Sequence, residues 1–181
     1  MFFYFYHYMA FILSVRGFTP KFGDNCFIAP NATVVGEVEM GDNCTVWFNA
    51  VVRGDVNTIK MGNNCNIQDG VVVHCTYQRS KTILGNNVSV AHNAIIHGCT
   101  IEDNVLIGMG AIIMDNVHIG EGSIIAAGAI VPANTKIEAG SIWAGNPAKF
   151  LKPVGDKVSE IQRIANNYPM YASWFKETKQ N

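Results

Sequence analysis

A parallel β-helix built from hexapeptides is the fold class this sequence predicts, and three observations predict it. First, a bulky apolar residue recurs every six positions. The run is Phe22, Ile28, Val34, Met40, Val46 and Val52, then Met61, Ile67 and Val73, then Leu84, Val90 and Ile96. After one dropped residue it continues through Ile101, Ile107, Ile113, Ile119, Ile125, Val131, Ile137 and Trp143. Second, a small or β-branched residue follows many of these four positions later, at Ala32, Val38, Cys44, Ala50, Val71, Ala94, Ala111, Ser123 and Ala129. Third, 17 Gly and many Asn suit a chain that turns every few residues. A period of six fits neither a lone amphipathic helix nor an alternating strand. It marks an all-β solenoid in which each coil buries its apolar residue against the next.

The elements follow in order. Residues 1–13, MFFYFYHYMAFIL, form an apolar extension without a charged residue. They lack the basic start and small-residue cleavage site of a signal peptide. Composition favours a start codon placed too early, with Met9 as the true start, over a membrane-surface anchor or an extra strand. Residues 14–153 form the β-helix: a lead-in over 14–21, hexads over 22–148, and a break in the pattern at 144–148. Residues 154–181 form a C-terminal helical segment, where Val158, Ile161, Ile164, Ala165 and Tyr168 recur at helical spacing. Pro169 is expected to end or kink that helix, with a second short stretch from Tyr171 to Lys179. A helix with one apolar stripe buries it most cheaply along a flank of the solenoid.

Composition narrows the function. The 181 residues predict one domain. Thirteen Lys and Arg against 14 Asp and Glu give a net charge of −1, which excludes a general attraction to nucleic acid or anionic lipid. No apolar run is long enough to span a bilayer. The five cysteines have no disulfide or metal spacing. Cys26, Cys44 and Cys65 fall on the small inward position of their hexads, whereas Cys75 and Cys99 fall elsewhere and are expected nearer the surface. Free thiols of this kind suit a reducing cytoplasm.

Three histidines carry the chemistry. Three hexads make one triangular coil, so residues three hexads apart stack about 4.8 Å apart in adjacent coils. His74 follows Val73 and His97 follows Ile96, one full coil higher in the same column. Arg53 follows Val52, one coil below His74. His92 is the second residue after Val90 and belongs to another face, with Gln68 and Asp69 one coil below it. Two histidines on one face and one on another make a poor metal site within a subunit. They make a good one when two prisms pack side by side about a threefold axis. Three neutral imidazoles with one open position are the ligand set of catalytic zinc. His7 and His118 read as surface residues.

The segments Arg53-Gly54-Asp55, Asn66-Ile67-Gln68-Asp69-Gly70, Val73-His74 and the run from Asn87 to Gly98 resemble the γ-class carbonic anhydrases. The likeness covers roughly residues 14–175. It implies a left-handed β-helix, a homotrimer, and zinc or ferrous iron at each subunit interface. By it, His74, His92 and His97 are ligands, and Arg53 and Asp55 form an intersubunit ion pair that shapes the site. Gln68 hydrogen-bonds the water at the metal, Asp69 is a supporting carboxylate, and Tyr168 stands either near the pocket mouth or in helix packing. The substrate is then a small molecule, carbon dioxide. Active members carry a glutamate after Arg-Gly-Asp, where this chain has Val56, and an acidic loop after the first histidine. Here residues 75–82 hold no acid. The metal site is therefore expected intact and the proton shuttle absent, giving modest activity. Other readings remain open: an enzyme on another small acyl or thioester substrate, a non-enzymatic trimeric assembly protein and, more weakly, a hexapeptide acyltransferase.

Overall fold

The structure, a computed structural model, describes residues 9–177. It is a parallel β-solenoid of about seven turns with one C-terminal helix. Three columns of short strands form its faces. The first stacks Phe11–Leu13, the start of Thr33–Met40, the start of Val51–Met61, Val72–His74, Ile95–His97, Ile112–Ile113 and Ile130–Val131. The second stacks Lys21–Phe22, the far halves of those two long strands, Thr82–Leu84, Thr100–Ile101, His118–Ile119 and Lys136–Ile137. The third runs from Phe27–Ile28 through Thr45–Val46, Asn66–Ile67, Ser89–Val90, Leu106–Ile107 and Ile124–Ile125 to Ser141–Gly145.

The register is the six-residue beat made physical. Val34, Val52, Val73, Ile96, Ile113 and Val131 are in register along the first face, and all are fully buried. Val46, Ile67, Val90, Ile107 and Ile125 do the same on the third. Corners demand backbone that most L-residues avoid, and asparagine supplies much of it. Asn43, Asn64, Asn87, Asn104 and Asn116 all take φ of 55–59°. At Gly36 the need is absolute: φ is 77°, and a Cβ would strike the backbone carbonyl of Gly54 in the next coil.

After Gly145 the chain reverses and Ala148–Pro153 pairs antiparallel with Ser141–Gly145, capping the last coil. A short 3-10 turn, Gly155–Lys157, leads into the helix Val158–Glu177. Ile161, Ala165 and Ala172 are buried, and Ile161 closes a small cluster with Ile142 and Val154. Further along, Trp47 meets the rings of Tyr168 at 5.5 Å and Phe175 at 5.6 Å. The helix thus lies along the third face, as its apolar stripe requires.

Two expectations are corrected. Pro169 neither ends nor breaks the helix, which runs on as one element to Glu177. Packing of Tyr168, Ala172 and Phe175 against the solenoid outweighs the lost backbone donor. Cys75 and Cys99 are also buried, at 0% and 1% exposure. Counted back from Ile101 rather than forward across the dropped residue, Cys99 occupies the inward small position. Cys75 opens the inserted loop, with its thiol turned in and donating to the Asn57 carbonyl at 3.4 Å. Burial pushes Cys75 up to about 11 and Cys99 up to about 12, so both thiols stay protonated near neutral pH. The early-start reading concerns a segment whose residues 1–8 lie outside the described residues. Phe11–Leu13 is a paired strand, in register with Thr33, Val34 and Val35.

Candidate metal centre

His74 and His97 end neighbouring strands of the first face and are direct register partners. Val73 and Ile96 before them point into the core, so strand alternation turns both imidazoles outward. His74 Nδ1 and His97 Nε2 stand 3.2 Å apart. The other nitrogen of each ring faces a carboxylate. His74 Nε2 is 3.1 Å from Asp55 Oδ1, and His97 Nδ1 is 3.0 Å from Asp115 Oδ1. With those nitrogens donating, the two that face each other both present lone pairs. Only a shared cation or proton satisfies such a contact. Two nitrogens at ordinary zinc distances in a tetrahedral shell would be about 3.3 Å apart. The donor set therefore fits a divalent metal.

His92 follows Ser89–Val90 on the third face, in register with Asn66–Ile67, so Asp69 lies one coil below it. His92 Nδ1 is 3.0 Å from Asp69 Oδ2. All three histidines thus have a carboxylate on one ring nitrogen, the arrangement that fixes tautomer and orientation in metal-ligating imidazoles. Within one chain His92 belongs to a different face from His74 and His97. Among the described residues of a single chain, no three His, Cys, Asp or Glu side chains are placed to hold one ion.

The surrounding residues are tightly held. Arg53 Nη1 donates to Asp55 Oδ2 at 2.5 Å. The pair that the resemblance puts between subunits is formed here inside one chain. Burial pushes Asp55 up, but the hydrogen bonds from Arg53 and His74 outweigh it and hold the carboxyl below its usual range. Burial lowers His74, favouring the neutral ring that ligates metals. Gln68 is 3% exposed and donates to Asn66 Oδ1 at 3.0 Å, while Asn66 donates to Ser89 Oγ at 2.7 Å. Gln68, His92 and Tyr168 line a common cavity of about 360 Å³ with Leu106, Met109 and Tyr171. Tyr168 also packs on Trp47. Burial, then the charge of Asp69, pushes its phenol up to about 12. His118 pairs with Glu102 at 3.0 Å on the second face, away from these groups.

Sequence reasoning missed Asp115, Ser80 and Thr76. Asp115 accepts from Ser80 Oγ at 2.6 Å and from Thr76 Oγ1 at 3.0 Å. The available signal was its place two residues after Ile113, next in the column above Ile96. Val56 stands where the resemblance puts a glutamate, and Glu37 and Asp55 line the same hollow as Val56. Arg16 donates to the carbonyls of Asp55 and Val56 and lies 5.4 Å over the Tyr77 ring.

Comparison with known proteins gives the lineage. The hexapeptide model described as bacterial transferase hexapeptide (six repeats) matches residues 19–54 and 98–133. A carbonic anhydrase of Geobacillus kaustophilus is 37% identical over 170 residues, covering 93% of each chain. The mitochondrial gamma carbonic anhydrase 2 of Arabidopsis thaliana is 40% identical over 163 residues, 87% of this chain. The chain belongs to the γ-carbonic anhydrase family. It spans 59% of the length of that plant member. A solved structure from Bacillus cereus, described as a candidate acetyltransferase, superposes with a TM-score of 0.90 at 35% identity, covering 94% of this chain and 99% of that one. Family membership implies a metal cofactor. It leaves the choice of metal, the assembly and the substrate to be argued from the site. Among the described residues no helix is long and apolar enough to cross a membrane.

Proposed function

We propose that the chain is a γ-carbonic anhydrase that works as a homotrimer and hydrates carbon dioxide to bicarbonate at sites shared between subunits. His74 and His97 of one subunit and His92 of the next would hold zinc or ferrous iron. The convergence of His74 Nδ1 and His97 Nε2, each ring anchored by a carboxylate, carries this reading. Bound there, the ion supplies a Lewis acid that lowers the pKa of water towards 7. The chain's own groups do the rest. Asp55, Asp115 and Asp69 hold protons at His74 Nε2, His97 Nδ1 and His92 Nδ1, which keeps the opposite nitrogens free to ligate. Arg53 holds Asp55. Gln68, with its amide nitrogen committed to Asn66, offers Oε1 to orient the attacking water. Five free thiols support a reducing cytoplasm as the setting. Metal analysis of anaerobically purified protein, followed by a carbon dioxide hydration assay, tests the reading. A metal-free trimer without hydration activity after zinc or iron loading would overturn it.

The acids that the resemblance assigns to proton relay are missing. Val56 and the loop 75–82 supply none, and Arg16 sets its guanidinium against the backbone carbonyls of Asp55 and Val56. Proton removal should therefore limit turnover. Small buffers such as imidazole should raise the rate at saturating carbon dioxide, by up to roughly 10²-fold, the lower end of what one positioned acid–base group contributes. A high rate insensitive to buffer would show that another group carries the proton.

One observation favours a second reading. The cavity of about 360 Å³ beside His92 far exceeds the needs of carbon dioxide, and Leu106, Met109, Tyr168 and Tyr171 give it an apolar wall. A small acyl or thioester substrate fits that space. Hydrolysis of short acyl thioesters by the metal-loaded protein, with no carbon dioxide hydration, would favour this alternative.

A further inference from the structure

We propose that Asp115 is the positioning residue for His97, and that the loop after His74 serves as its buttress. The proposal rests on reading His74 and His97 as metal ligands. Asp115 is held from two sides before it meets the imidazole. Oδ1 accepts from Ser80 Oγ at 2.6 Å and faces His97 Nδ1 at 3.0 Å, while Oδ2 accepts from Thr76 Oγ1 at 3.0 Å. A carboxylate so clamped fixes both the tautomer and the ring angle of its histidine.

Thr76 and Ser80 are themselves fixed. The Thr76 backbone N–H donates to Ser80 Oγ at 3.0 Å, closing the loop on itself. Asn57 from the coil below donates to the Ser80 carbonyl at 2.8 Å, and Ser80 is only 6% exposed. Where the loop rejoins the second face, Thr82 Oγ1 donates to the His74 carbonyl at 2.6 Å and accepts from Gly98 N–H at 3.0 Å. The loop is thereby tied to the backbones of both histidine strands. Gly98 completes the arrangement: at φ 58°, a Cβ there would strike Asp115 Oδ1 and Ser80 Oγ. The residue after the ligand is bare so that the buttress can close over it. A segment whose counterpart in active relatives carries acid is here spent on holding a ligand still.

Zinc affinity of the assembled full-length protein, measured by competition with a chromogenic chelator, tests this. The visible spectrum of the cobalt-substituted protein and the melting temperature of the metal-free protein complete the test. Asp115→Asn keeps the size and most hydrogen bonds but removes the charge. It should weaken zinc binding roughly 10–100-fold and perturb the cobalt spectrum. Ser80→Ala should shift both measurements the same way by less, because Thr76 still holds Oδ2. The metal-free melting temperature should stay near wild type in both. His97→Ala separates the two layers of argument. If His97→Ala binds zinc as the wild type does, the metal-centre reading fails. If His97→Ala loses zinc but Asp115→Asn and Ser80→Ala bind it normally, the positioning role fails. A loss of affinity matched by an equal loss of metal-free stability would also overturn it, since Asp115 would then be scaffold alone.

Discussion

His74→Ala and His92→Ala should each give a trimer unable to hold metal, and mixing the two by unfolding and reassembly should restore it. The expectation follows from where the strands put the rings. His74 and His97 are partners on the first face, and His92 stands on the third. In a mixed ring, a His92→Ala subunit still offers His74 and His97, and a His74→Ala subunit still offers His92. Any closed ring of three containing both kinds has one junction in the right order. Equimolar random mixing should therefore recover about one quarter of the wild-type metal, with activity to match, from two parents that have none. Mixing His74→Ala with His97→Ala should recover nothing, because both ligands must come from the same chain. Metal content after confirmed subunit exchange is the readout. A first mixture that stays empty would show that the site is not shared as proposed.

That experiment probes the part of the site that the sequence made legible through counting alone. The six-residue beat placed Arg53, His74 and His97 in one column and His92 over Asp69 in another, and the strand registers have these relations. Counting works here because a solenoid converts sequence separation into position with little freedom. It fails where the period is interrupted. The dropped residue before Ile101 hid the inward place of Cys99, and the inserted loop hid the clamp of Thr76 and Ser80 on Asp115. No periodicity reaches across an insertion, so contacts made by the loop had no signal. Pro169 failed for a different reason: a local rule about the backbone was outweighed by burial of the residues on either side of it.

Ile119→Ala separates what holds the fold from what holds the metal. Ile119 is fully buried in the second face, in register between Ile101 below and Ile137 above, which are also fully buried. The column is rigid on both sides, so the site has little freedom to collapse. Truncation should cost about 2–5 kcal/mol. For a chain of this size that lowers the melting temperature by roughly 4–20 °C. Zinc bound per chain at room temperature should not change, because the imidazoles and their carboxylates project outward from other columns. Removal of metal by a chelator should do the reverse. The hexad core forms without the ion, so chelation should loosen the subunit interface while the far-ultraviolet circular dichroism of each chain persists. Thermal melts of both proteins, with and without chelator, give the comparison. A chelated wild type that melts as early as Ile119→Ala would mean that the ion, and not the buried column, carries the stability of the coil.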